Sequence, residues 1–110
     1  MSSEFVDAET FLAEQRKAMP EEEWLQEVRD EAERQGWRHY HTRNSRGSDR
    51  GYPDLCMVRP PRIIYAELKS YGEKPTEDQN AWLRDFERCP PAEVYIWWPV
   101  HWDWVQEVLA

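Results

Sequence analysis

A chain of 110 residues makes one domain with a modest core and leaves no room for a second. A third of it is charged, yet seven Trp, five Tyr and three Phe supply the large apolar side chains that a disordered chain lacks. The net charge of −8 opposes a polyanionic partner only if it is spread evenly; residues 1–35 carry −7, residues 36–75 carry +4 and residues 76–110 carry −5, so the middle third is locally basic.

The start, MSSEFVDAETFLAEQ, is acidic and has no continuous apolar run, and no later segment is long enough to span a bilayer. The expectation is a soluble cytoplasmic protein with no membrane partner. Residues 1–19 form an N-terminal arm in which Asp7 can cap a short helix over AETFLAEQRKAM, with Phe11 and Leu12 as its apolar contacts, before Pro20 interrupts or restarts it. Residues 20–110 form the domain proper. From Pro20 to about Gln35, Trp24, Leu25, Val28 and Ala32 recur at helical spacing, and Gly36 is the stop.

WRHYHTR alternates and reads as a strand, followed by the polar loop NSRGSDRG. Pro53 forces Tyr52 to be extended; DLCMVR reads as a second strand, Pro60 and Pro61 as a turn, and RIIYAELK as a third strand. Thr76 and Gln79 have capping-box spacing, and Trp82, Leu83 and Phe86 follow at helical intervals until CPP ends the run. EVYIWW is the fourth strand, and WDWVQEVLA a terminal helix carrying Trp102, Val105 and Leu109. The order αβββαβα predicts an α/β fold with a central mixed four-stranded sheet flanked by helices, because a crossover helix between the third and fourth strands joins parallel strands. Cys56 and Cys89 lack nearby thiol or imidazole partners, so neither a zinc site nor a disulfide framework is indicated.

GYPDLCMVRPPRIIYAELKS, residues 51–70, places charge where a buried sheet excludes it. Asp54 opens one strand, while Glu67 and Lys69 lie two apart on the next and share a face. Two close carboxylates repel unless a cation neutralises them, and oxygen ligands suit Mg²⁺ or Mn²⁺. Lys69 beside such an ion can position water or stabilise a pentavalent phosphate, which is phosphodiester hydrolysis. The plainer alternative is an edge-strand pair, Glu67 and Lys69, facing water, with Asp54 as a turn residue.

PD, twelve residues, then ELK resembles the PD-(D/E)xK nuclease signature. More narrowly, GWRHYHTRNSRGSDRGYPDL, AELKSYGEKPTEDQNAWL and VYIWWPVHWDWV resemble the VRR-NUC (virus-type replication-repair nuclease) domain, over residues 21–109. The resemblance implies a restriction-endonuclease-like core and metal ligands at Asp54, Glu67 and the Leu68 backbone carbonyl. It further implies a catalytic Lys69, a glutamate on the first helix of the domain and a glutamine at Gln79. At 100° per residue Glu21 falls at the centre of the apolar stripe, whereas Glu22, Glu23 and Glu27 point to the flank or solvent; a shifted helix start returns Glu23 to contention. For Gln79, a capping role and a place lining the metal site weigh equally.

The resemblance implies a Mg²⁺- or Mn²⁺-dependent DNA endonuclease, acting as a homodimer on branched DNA such as four-way junctions, in replication, repair or recombination in a bacterial or phage-infected cell. The alternatives are a sequence-recognising restriction or homing-type nuclease, which a domain this small has few elements to support, and a non-catalytic nucleic-acid-binding module. Arg38, Arg43, Arg46 and Arg50, with His39 and His41, lead into Asp54 and form the expected DNA-binding edge; a solvated loop offsetting the acidic helix is the alternative. His41 is not assigned as a ligand. Trp97, Trp98, Trp102 and Trp104 read as core packing, with any surplus aromatic surface available for self-association.

Overall fold

The computed structural model of the protein describes residues 3–43 and 49–110. Helices α1 (Ser3–Ala18) and α2 (Glu21–Arg34) precede three strands, β1 (Arg38–His41), β2 (Leu55–Arg59) and β3 (Arg62–Leu68). Helix α3 (Glu77–Glu87), β4 (Glu93–Trp97), a 3-10 turn (Pro99–His101) and α4 (Trp102–Leu109) complete the chain. The sheet order is β1-β2-β3-β4, antiparallel across the first two pairs and parallel across β3 and β4. As the element order requires, α3 is the crossover that makes the last pair parallel.

Alternation along the strands divides the molecule into layers. Leu55, Met57, Ile64, Ala66 and Trp97 project to one face and are buried against Trp24, Val28 and Ala32 of α2 and Val105 and Leu109 of α4. Two tryptophans carry polar handles into this core: the Trp24 indole donates to the Trp97 carbonyl (3.1 Å) and the Trp37 indole to the Leu109 carbonyl (2.8 Å). On the opposite face Phe86 of α3 stacks on Tyr65 at 3.8 Å, and Tyr52 meets Trp82 edge-on at 5.0 Å. Gly36, with φ of 84°, adopts the left-handed backbone that ends α2.

The arm differs from expectation in two ways. Helix α1 begins at Ser3, so Asp7 lies within it and does not precede it as a cap. Phe11 and Leu12 are 63% and 61% exposed and are not the contacts that hold the helix. Its C-terminal end is held instead by cations: the Arg16 guanidinium bonds both carboxylate oxygens of Glu27 and stacks over Trp102 at 5.3 Å, and Lys17 lies over Tyr71 at 5.3 Å. Of the C-terminal tryptophans, Trp97 is fully buried, Trp98 and Trp102 are half-buried, and Trp104 keeps 43% of its surface exposed. Cys56 and Cys89 are both free, and among the described residues no helix is long and apolar enough to cross a membrane.

Candidate active site

The end of the sheet where β1 and β3 finish and β2 begins opens into a cleft of about 920 Å³, between the N-termini of α2 and α3. Asp54, Glu67, Leu68 and Lys69 form its floor. Strand β3 is central, flanked by β2 and β4, so Glu67 is only 1% exposed and Lys69 only 8%. That removes the edge-strand reading of the pair.

The carboxylates are held in unequal ways. Asp54 Oδ2 accepts the Leu68 N–H at 2.8 Å, which ties the turn before β2 to the end of β3. In an extended strand a residue's N–H and C=O leave on the same side, so the Leu68 carbonyl is directed toward Asp54 as well. Glu67 Oε2 lies 3.4 Å from Lys69 Nζ, while Glu67 Oε1 is buried with no hydrogen-bond partner among the described residues. Burial, and then the Asp54 charge, push the Glu67 carboxyl up to about 8 against the opposing pull of Lys69.

A buried carboxylate oxygen without a donor, facing a second carboxylate, is a site short of positive charge. No three His, Cys, Asp or Glu side chains converge among the described residues, so this is not a closed protein cage. The convergent set is two carboxylates and a carbonyl. Such an all-oxygen, incomplete shell fits a Mg²⁺-like ion, which keeps several waters and takes further oxygens from a substrate phosphate.

Glu21 sits at the mouth of this cleft, exposed and not turned into the core. Its carboxyl is raised by burial and by Asp54, with Lys69 opposing and Glu73 adding a little, so it feels the same charges as Glu67. Glu23 lines a separate groove beside α1, the 3-10 turn and Trp102. Of the two, Glu21 lines the cleft that holds the carboxylate pair and Glu23 does not. Glu22 lies on the cleft wall beside Glu21.

Gln79 caps α3 and also borders the cleft. Its Oε1 accepts the Thr76 N–H (2.8 Å) and its backbone N–H donates to Thr76 Oγ1 (3.2 Å), completing a capping box. With its oxygen engaged, the amide hydrogens are what Gln79 can present to a phosphate.

Sequence reasoning missed Gly51. Its φ is +84°, and a Cβ there would come within 2.6 Å of the Asp78 carbonyl oxygen and the Gln79 nitrogen. Beside it the Trp82 indole donates to the Arg50 carbonyl at 3.1 Å. The segment leading to Asp54 is thus pinned on the first turn of α3. A glycine before Tyr52–Pro53 hints at a special backbone, but only the fold shows what it must clear. Gly51→Ala is expected to cost about 1–3 kcal/mol, read as a lower urea midpoint at unchanged m, because both the dihedral and the contact oppose a side chain.

The structure separates the basic residues. Arg43 and Arg50 line the cleft. Arg38 is exposed at the far end of β1, paired with Val58, on the sheet face that also carries Tyr40. Arg46 lies outside the described residues. His39 and His41 project to the α2 face, and only His41 reaches the cleft lining. Burial first, then Arg29, hold the His41 imidazole below its usual value, with Asp54 opposing and Arg43 adding to the effect.

One family model matches the chain: the VRR-NUC domain, over residues 3–96. No curated protein and no solved structure matches it.

Proposed function

We propose, from the premise that the chain belongs to the VRR-NUC family and is therefore a nuclease of the PD-(D/E)xK type, that it cuts branched DNA with a divalent ion held by Asp54, Glu67 and the Leu68 carbonyl. The observation that carries this reading is the buried Glu67 carboxylate, with one oxygen on Lys69 and the other unpartnered beside Asp54. When bound, a hard divalent ion supplies Lewis acidity at the phosphoryl oxygen and makes water a better nucleophile.

The protein groups have separable roles in that reaction. Asp54, oriented by the Leu68 N–H, and Glu67, oriented by Lys69, hold the ion. Lys69 also offers an ammonium to orient the attacking water and to offset charge on the pentavalent phosphorus. Glu21 at the cleft mouth is a proton acceptor within the field of the same charges. Gln79 presents its amide to a non-bridging oxygen, and Arg43 and Arg50 hold the backbone on the rim. Selectivity for four-way junctions and a homodimeric state are supported by the family resemblance; two sites related by a two-fold axis suit a substrate with two equivalent strands.

The test is cleavage of labelled four-way junction, flap, single-stranded and linear duplex DNA in Mn²⁺, Mg²⁺ or EDTA. Junction cutting in either metal and none in EDTA is the expected result. Cleavage that persists in EDTA removes the metal, and equal nicking of all four substrates removes the selectivity.

A further inference from the structure

Four described arginines are half-buried, and three of them are satisfied by oxygen. Arg16 bonds Glu27, Arg62 bonds Glu93, and Arg59 donates to the carbonyls of Gln35, Leu109 and Ala110. The fourth, Arg29 of α2, has no carboxylate partner among the described residues, in a chain with 22 acidic side chains to choose from. Its Nε donates to His39 Nδ1 at 3.2 Å. A guanidinium can only donate, so that nitrogen of His39 is the acceptor. A half-buried cation bonded to an imidazole, with no carboxylate partner among the described residues, is a place that attracts an anion.

Its position gives that anion a meaning. Arg29 follows Leu25 by four residues and Glu22 by seven, so it continues the stripe of α2 whose first turns line the cleft. At 1.5 Å per residue it lies about 12 Å along the helix from Glu21. His41, which lines the cleft, is close enough to Arg29 to feel its charge. Strand β1, which carries both histidines on its α2 face, is a sheet edge, so no further strand of the sheet lies beyond the seam between α2 and β1. The seam therefore runs from the carboxylate floor past His41 to Arg29.

We propose that Arg29 and His41 form a phosphate subsite, holding a backbone phosphate of the DNA strand beside the scissile one and directing that strand along the α2–β1 seam. This rests on the nuclease reading above.

The experiment measures Kd for a fluorescent four-way junction with Ca²⁺ in place of Mg²⁺, across a series of NaCl concentrations. Arg29→Gln is expected to weaken binding on the order of tenfold and to lower the slope of log K against log salt by about one. Arg29→Lys keeps the charge and should keep the slope, which guards against misreading a folding defect. Arg88→Gln, which removes the same charge beyond the opposite end of α3, should leave both quantities unchanged. Replacing single phosphates near the cut with neutral methylphosphonates should reveal one position that weakens wild-type binding and hardly affects Arg29→Gln.

An unchanged salt slope in Arg29→Gln, or equal methylphosphonate penalties in both proteins, overturns the subsite. If the wild type cuts DNA while Arg29→Gln binds like it, only this proposal fails. If the wild type neither binds nor cuts, the nuclease reading fails and takes the subsite with it.

Discussion

Asp54→Asn is expected to lower the cleavage rate by about 10²–10³-fold or more, the size of losing one preorganised electrostatic contact to the transition state, while leaving the fold intact. The fold survives because an asparagine oxygen can still accept the Leu68 N–H that Asp54 Oδ2 accepts now at 2.8 Å. Asp54→Ala is a poorer test, since it orphans that N–H and adds about 1–3 kcal/mol of unrelated destabilisation. Lys69→Met should be similarly inactive, and it leaves the Glu67 carboxylate buried without its cation. A second readout separates chemistry from folding: without the Asp54 charge, the Glu67 carboxyl should titrate below its present value of about 8, which NMR of the side-chain carbon can follow. Activity that survives Asp54→Asn would remove the metal assignment.

Glu67→Gln is expected to be inactive yet, without metal, to lose less stability than the wild type as pH rises. The sign follows from the direction of the shift. Glu67 is raised to about 8 from the ordinary glutamate value of 4.5, so the native state holds the proton more tightly than the unfolded chain. Its contribution is fully present below about pH 4.5 and is lost as pH rises through about 8. Glu21, also raised, acts in the same direction, whereas the lowered His41 acts in the opposite one, so the informative quantity is the difference between wild type and variant. The lowered Glu31 and Glu93, held down by hydrogen bonds from Gln35 and Arg34 and from Arg62, lose their contributions as pH falls and act mainly below this window.

Near pH 8, Mn²⁺ at a hundred times its Kd should stabilise the wild type by about 2.7 kcal/mol, equivalent to a rise in Tm of roughly 10 °C or more for a domain of this size. The variant, lacking one ligand, should show far less, and EDTA should reverse the shift. Parallel melting curves for the two proteins across the pH range, with equal responses to Mn²⁺, would show that Glu67 is not the group under strain.

The amino-acid sequence by itself determined the order of elements. Pro20, Gly36, the PP pairs and the Thr76 capping box act on neighbouring backbone, and the alternation or helical recurrence of apolar residues is readable within a few positions. It also determined the spacing of Asp54, Glu67 and Lys69 that carries the family resemblance, and the parallel pairing of β3 with β4 through the α3 crossover.

Tertiary structure decided everything that depends on which element lies beside which. Glu67 and Lys69 are buried because β3 is flanked on both sides, a fact of sheet order and not of local pattern. Glu21 prevailed over Glu23 because the N-terminus of α2 faces the sheet end on one side and the α1 groove on the other. Arg43 and Arg50 reached the cleft while Arg38 did not, since strand direction puts them at opposite ends. Phe11 and Leu12 stayed exposed, and the contacts that dock the end of α1 come from Arg16 and Lys17, whose partners lie on α2 and in the loop after β3. The fit of Gly51 against α3 and the turn of Arg29 toward His39 join residues far apart along the chain. Local propensity reports on a residue's neighbours in sequence; burial, charge pairing and close backbone approach report on its neighbours in space.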